Sequence, residues 1–378
     1  MFKYAVLDKF IASNAHLPEQ GTDEWKRLRH GFIGGSEIAT LLKKNKYKSP
    51  TKLVLEKLGF NPFVGNVITH WGNVFEEFIR QHCEEIFLCS IKETGSIPYD
   101  KGSLSYSPDG LAVVPTGSLR KQFGVLEGID MKCPTQLVLF EFKCPHTRIP
   151  DNNIPEHYLP QVSIGMNIID IMETAVFVQA VFRRCSFDQL RYDTTHNPYG
   201  HFKRADTSAA PIECGFMIFY SDEQDDYADG LIEAMTENGD IIEDTDIVDI
   251  GSINDPGLLE EILGGYVKKT FKIDYTTRML YTPSVFERDS YTIDMYNKSM
   301  QFRLRKKLYQ RINDLPNIIG VLPFKLLSVY MTPVQKNATY IEDTDAHTKA
   351  IKALQCIEDH RGMDDRAVVM KSVRKYKL

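Results

Sequence analysis

The most regular pattern in the chain runs from Thr69 to Phe87. Gly72, Glu76, Ile79, Cys83 and Ile86 recur there at spacings of three and four, while Glu77, Arg80 and Glu84 fall outside the stripe. That period predicts an amphipathic helix. It also places the Glu76 carboxylate on an apolar face beside Phe75 and Phe78, an ordinary edge position unless other carboxylates converge on it. Upstream, Thr22 or Asp23 can cap a short helix over residues 24–29, and Ser36 can cap a helix from Glu37 to Lys43. Pro50–Leu58 predicts another, stopped by Gly59. Beyond Phe87 the pattern turns to strands. They are predicted over Ser90–Tyr99, Leu104–Val114 with a bend at Ser107-Pro108-Asp109-Gly110, Val125–Lys132, Leu137–Lys143 and Ala175–Phe182. A helix over Pro155–Ile169 precedes the last of these. Farther on the signal weakens to a strand over Glu213–Ser221, a helix around Ala228–Met235, a basic helix over Lys298–Arg311 and helical character over 339–378. A meander of strands between helices implies an α+β or mixed α/β core.

Within that scaffold, Leu137–Gln161 holds the sharpest chemistry. An apolar strand, Leu137–Phe140, continues into Glu141 and Lys143, and the strand period of two puts both charges on one face. Cys144-Pro145 ends the strand, a polar loop follows, and the next helix carries Gln161 back towards the strand end. Burying an acid and a lysine is costly unless they act together, so a structural ion pair and an active site stand as equal alternatives on these residues alone. Gly34-Gly35-Ser36, leading into a helix with Arg29 close by, is a candidate phosphate seat, although an isolated Gly-Gly-Ser is more often a simple capped turn. Glu76, Asp109 and Glu141 are three carboxylates on predicted core elements, the ligand type that Mg²⁺ and Mn²⁺ prefer. Lys143 beside them can orient or deprotonate a water. The order Pro108-Asp109, then Glu141-x-Lys143, is the PD-(D/E)xK arrangement, a short pattern that chance also produces. Asp109 in a Pro-Asp-Gly setting is, by itself, a common turn residue. Asp130-Met131-Lys132 offers a second D-x-K.

Composition narrows the setting. The chain has 378 residues, 43% hydrophobic and 25% charged, enough for one large or two ordinary globular domains. No run of about 18 apolar residues predicts a transmembrane helix, and the N-terminus lacks a signal-peptide pattern. Seven cysteines without a C-x-x-C pair argue against a disulfide framework or a zinc site and favour a reducing compartment. The net charge of -6 is uneven, because residues 221–250 hold 12 acidic side chains and no Lys or Arg. The remainder carries 45 basic against 39 acidic residues, so a basic groove for nucleic acid is permitted.

Five motifs follow one another in order: Trp25-x-x-Leu28-Arg29-x-Gly31 with Gly34-Gly35-Ser36-Glu37-Ile38, Trp71-Gly72-x-x-x-Glu76, Ser107-Pro108-Asp109-Gly110-Leu111, Glu141-x-Lys143-Cys144-Pro145, and Tyr158-x-x-Gln161-Val162. Together they resemble the phage lambda exonuclease family, the YqaJ-type viral recombinase nucleases, over residues 22–185. The stretch 180–190 and the long C-terminal part resemble the members from large eukaryotic DNA viruses. The resemblance implies a PD-(D/E)xK, restriction-endonuclease-like core over 1–220, a central mixed sheet flanked by helices, with a C-terminal extension over 221–378 packed on it. It implies that Glu76, Asp109 and Glu141 hold Mg²⁺ or Mn²⁺, two ions per site, with the Phe142 carbonyl as a further ligand. Lys143 would position the attacking water, and Gln161 would support the site or the scissile phosphate. Arg29, Ser36 and Ser107 would receive the 5′-terminal phosphate. Glu141 and Lys143 are preferred to Asp130 and Lys132 because the loop and helix to Gln161 follow directly, which leaves Asp130 structural on a neighbouring strand. The implied activity is 5′→3′ degradation of one strand of linear duplex DNA with a free 5′ end, for viral recombination, repair or replication. The implied setting is intracellular, in host cytoplasm or nucleus, with a single-strand annealing protein as partner, no membrane, and an open oligomeric state. A structure-specific endonuclease and a silent DNA-binding scaffold are the alternatives.

Overall fold

A computed structural model describes residues 2–18, 22–60, 67–145, 148–184, 214–220, 272–275 and 318–376. The segments around 228–235 and 298–311, the acidic stretch 221–250 and residues 185–190 lie outside the described residues.

Six strands form the central sheet. In spatial order they are β4 (Gly110–Pro115), β5 (Thr135–Lys143), β6 (Thr174–Arg184), β9 (Ile318–Gln335), β7 (Cys214–Tyr220) and β8 (Lys272–Tyr275). The β5–β6 pair is parallel and the other pairs are antiparallel, so the sheet is mixed as expected. A small sheet beside it pairs β1 (Ile33–Gly34) in parallel and β2 (Ile97–Pro98) antiparallel with β3 (Leu104–Tyr106).

Strand alternation sorts the core into two layers. Val138, Phe140 and Phe142 of β5, with Val176, Val178 and Phe182 of β6, face α5 (Val67–Phe87), which buries Phe75, Phe78, Ile79, Cys83 and Phe87. Leu137 and Leu139 of β5, with Ala175 and Phe177 of β6, face α1 (Phe2–Asn14) through Leu7 and α7 (Leu159–Ile168) through Val162 and Met166. Glu141 and Lys143 share the odd-numbered side of β5, as their spacing requires, and therefore look towards α7 and Gln161.

Several local expectations need correcting. Val125–Lys132 is a series of turns: Gly124 and Gly128 take φ of +77° and +73°, Val125 is 81% exposed, and Asp130 accepts a hydrogen bond from the Lys132 N–H at 2.9 Å. Asp130 is thus structural, but in a turn. Of Ser90–Tyr99 only Ile97–Pro98 pairs as a strand, with one bridge from Lys92 to Leu111. The bend in Leu104–Val114 is sharp enough to divide it between the two sheets. Ser36 does not cap the next helix: α3 (Gly35–Leu41) begins two residues earlier than expected, with Gly34 as its N-cap. The helix to Gln161 starts at Leu159, after a turn over Glu156–Tyr158.

The residues beyond 220, expected as an extension packed on the core, enter the central sheet through β9, hydrogen-bonded between β6 and β7. The helices that follow, α8 (Tyr340–Asp343), α9 (Ala346–Asp359) and α10 (Arg366–Val373), pack on the N-terminal helices. Tyr340, Ile341, Ala346, Ala350 and Ala353 bury against Ile38, Leu53 and Ile164. Val369 and Val373 bury against Val54 and Leu55 of α4 (Pro50–Lys57).

Candidate active site

The site lies where three elements meet: the end of β5, the bend between β3 and β4, and the first turns of α7. Glu141 is fully buried at 0% exposure. Its charge is met on both oxygens, by the Tyr106 hydroxyl, which donates to Oε2 at 2.6 Å, and by the Lys143 ammonium, which donates to Oε1. Lys143 Nζ also stands 3.9 Å from Asp109. Asp109 in turn accepts the Phe142 backbone N–H at 2.7 Å, a bond that fixes the β3–β4 bend against β5.

The neighbouring acids act on Asp109. Burial first, then the charges of Glu141 and Glu76, push the Asp109 carboxyl well above the ordinary carboxylate range, with Lys143 and the Phe142 N–H opposing. The charge of Glu76, on α5, is among those that act on Asp109. Burial works against the Lys143 charge, but Glu141 and Asp109 outweigh it and hold the ammonium above its ordinary pKa. As the side chains stand, no group of three or more acidic, His or Cys residues among the described ones is gathered as a ready metal cage. The Lys143 ammonium supplies the positive charge between Glu141 and Asp109. In kind, the donors suit a hard divalent cation: crowded carboxylates whose repulsion a cation would relieve.

Beside the carboxylates is a cavity of about 130 Å³ lined by Trp25, Arg29, Ser36, Ser107, Asp109 and Gln161, among others. It gathers the three residues expected to take a terminal phosphate, and it joins them to one of the acids and to Gln161. Arg29 lies with its guanidinium carbon 4.7 Å from the Trp25 ring centre, and its Nη2 donates to Ser36 Oγ at 3.4 Å. Trp25 brings a buried indole N–H that has no hydrogen-bond partner among the described residues. Since α3 has only seven residues, the anion affinity of this seat rests on Arg29 and the hydroxyls rather than on a helix dipole.

Two supporting residues escaped the sequence reading. Tyr106 is pinched between glycines: a Cβ on Gly35 would lie 2.6 Å from its ring and one on Gly165 2.5 Å from its Cζ. It therefore links the phosphate seat to Glu141. Alternation in the Leu104-Ser-Tyr strand hinted at a buried ring but not at its partner. Lys57 donates to the Arg29 and Phe32 carbonyls at 3.2 and 2.9 Å and pairs with Glu37 at 3.1 Å. Glu37 accepts the Gly34 N–H at 2.8 Å. Together they brace the turn that presents Arg29; a lone lysine in the last turn of a helix carried no such signal. Asp130 and Lys132 are exposed and do not line the cavity.

Residues 24–174 match the YqaJ-like viral recombinase domain, and every candidate site residue falls inside that span. Protein D345L of African swine fever virus is 23% identical over 347 residues, covering 89% of this chain and 86% of the relative. The version from another isolate is 26% identical over 228 residues, covering 58% and 65%. Among solved structures, the alkaline exonuclease of Laribacter hongkongensis aligns over 42% of this chain and 74% of its own, at 20% identity and a TM-score of 0.32.

Proposed function

We propose that this chain, whose residues 24–174 match the YqaJ-like viral recombinase domain, is a metal-dependent deoxyribonuclease that degrades one strand of linear duplex DNA from its 5′ end. The shared cavity carries this reading: the Arg29 cation, hydroxyls including those of Ser36 and Ser107, and a Trp25 indole N–H unpartnered among the described residues stand in one pocket with Asp109 and Gln161. A terminal phosphate bears up to two negative charges near neutral pH, whereas an internal phosphodiester bears one. A pocket that places Arg29 beside Ser36 and Ser107 therefore favours chain ends. The D345L relatives are viral proteins, which fits work on viral DNA in recombination, repair or replication.

Glu76, Asp109 and Glu141, with the Phe142 carbonyl, would hold Mg²⁺ or Mn²⁺, two ions per site. Bound there, the metal would stabilise charge on the scissile phosphate and acidify a water. Lys143 remains an ammonium between Glu141 and Asp109, so it orients the attacking water and offsets charge rather than removing a proton. Gln161, on the cavity wall, holds a phosphate oxygen with its amide. Tyr106 keeps Glu141 in place. The product, a 3′ overhang, would suit a single-strand annealing partner.

Purified protein with Mg²⁺ should shorten linear duplex DNA, and Asp109→Ala or Lys143→Ala should abolish that activity. Undiminished shortening by either variant would overturn the assignment.

A further inference from the structure

An aromatic track leads from the site to the surface. The Lys143 ammonium lies 5.3 Å from the Tyr158 ring centre, and the Tyr158 and His157 ring centres are 4.1 Å apart. The His157 ring meets Tyr47 edge-on at 5.6 Å. Tyr47 is 68% exposed and carries the Lys46 ammonium 5.2 Å from its own ring centre. None of these rings is needed to close the apolar core except Tyr158, which packs against Phe177 at 5.7 Å.

The chain segment that carries Tyr47 has charges of one sign. Lys43, Lys44, Lys46, Lys48 and Lys52 lie between Glu37 and Glu56 with no acidic residue among them, and only Lys48 of the five is paired with an acid among the described salt bridges, Glu56. Burial, then Arg148, Lys46 and Lys143, hold the His157 imidazole below its ordinary pKa, so its ring is neutral at neutral pH while three cations surround it. Neutral rings interleaved with unpaired lysines match a single strand of nucleic acid, whose bases stack while its phosphates take the cations.

We infer that Tyr47, His157 and Tyr158 are a stacking track for the unpaired bases of the strand entering the active site. The inference rests on the nuclease reading and extends it to a base-binding subsite outside the phosphate pocket. The track reads no sequence, because every base offers a ring face.

The test is binding of a 5′-phosphorylated single-stranded oligonucleotide containing 2-aminopurine, to the full chain in EDTA so that no cleavage occurs. Tyr47→Ala should weaken binding about fivefold or more and relieve the fluorescence quenching, while Tyr47→Phe keeps both. The dependence of affinity on salt should keep its slope in Tyr47→Ala and flatten in Lys46→Ala, because only the second removes a phosphate contact. Unchanged affinity and quenching in Tyr47→Ala, or equal losses in Tyr47→Phe, would overturn the stacking track. If wild-type protein cleaves linear duplex DNA while Tyr47→Ala binds like wild type, this inference falls alone. If wild type neither binds nor cleaves DNA, the nuclease reading falls with it.

Discussion

Replacing Tyr106 by Phe removes one hydroxyl and leaves the ring between Gly35 and Gly165 where it is. The lost bond is the 2.6 Å donation to a Glu141 oxygen at 0% exposure, which water cannot readily replace. A hydrogen bond to a buried charge is worth about 1.5–3 kcal/mol. Lys143 still neutralises the other oxygen, which argues for the lower half of that range, about 2 kcal/mol. The void left is one oxygen atom, so packing adds little. By contrast, Tyr106→Ala empties the space between the glycines and should cost about 3–5 kcal/mol. Urea unfolding midpoints, with the slope checked for constancy, give the stability change. Calorimetric titration with Mn²⁺ reports whether Glu141 still presents its carboxylate, and affinity should fall at least tenfold. If Tyr106→Phe is within about 0.5 kcal/mol of wild type, the level of ordinary surface changes, and binds Mn²⁺ equally well, Tyr106 does not organise the site.

Other outcomes follow from the same geometry. Lys57→Met leaves Glu37 and two carbonyls without their cation and should cost about 3 kcal/mol; it should also erode the preference for 5′-phosphorylated over 5′-hydroxyl ends, measured as a ratio of kcat/KM. His157 has its folded-state pKa depressed by burial and by Arg148, Lys46 and Lys143, so the unfolded chain takes up its proton first. Its contribution is therefore present above the unfolded value of 6.5 and lost as pH falls below it, and the loss of stability between pH 7 and 5 should shrink in His157→Gln. Burial, with Glu84 adding to it, pushes the Cys89 thiol up to about 12 from 9.0. At pH 8 it holds about a thousandfold less thiolate than an ordinary cysteine, and iodoacetamide should label it correspondingly slowly in the folded protein.

What the chain discloses before folding depends on how locally each feature is encoded. Glu141 and Lys143 were legible because a period of two and a following proline are properties of the nine consecutive residues Leu137–Pro145. The long helix was legible too, although its buried side centres on Phe75, Phe78, Ile79, Cys83 and Phe87, leaving Glu76 at the margin. β9 was not legible. It contains Pro323 and Pro333, residues that argue against a central strand, yet it sits between β6 and β7, with the β6 ladder shifting register at Val181/Phe182. The false strand over Val125–Lys132 has the opposite cause: Gly124 just before it and Gly128 within it take positive φ, and the stretch folds into turns. Arg29, Ser36 and Ser107 were named from ordered motifs, and only the fold shows them in one cavity with Asp109. Tyr106 and Lys57 act through partners 35 and 28 residues away, a distance no local pattern spans.

The central claim is that the cavity beside the carboxylates receives a chain end. A time course on end-labelled linear duplex DNA, with and without a 5′ phosphate and beside a closed circle, in Mg²⁺ or EDTA, tests it most directly. The account predicts that the 5′-phosphorylated linear duplex is shortened from its 5′ end fastest, the hydroxyl-ended one more slowly and the circle not at all, with all loss stopped by EDTA. Cleavage of the circle at a rate equal to the linear duplex, or shortening that continues in EDTA, would contradict it.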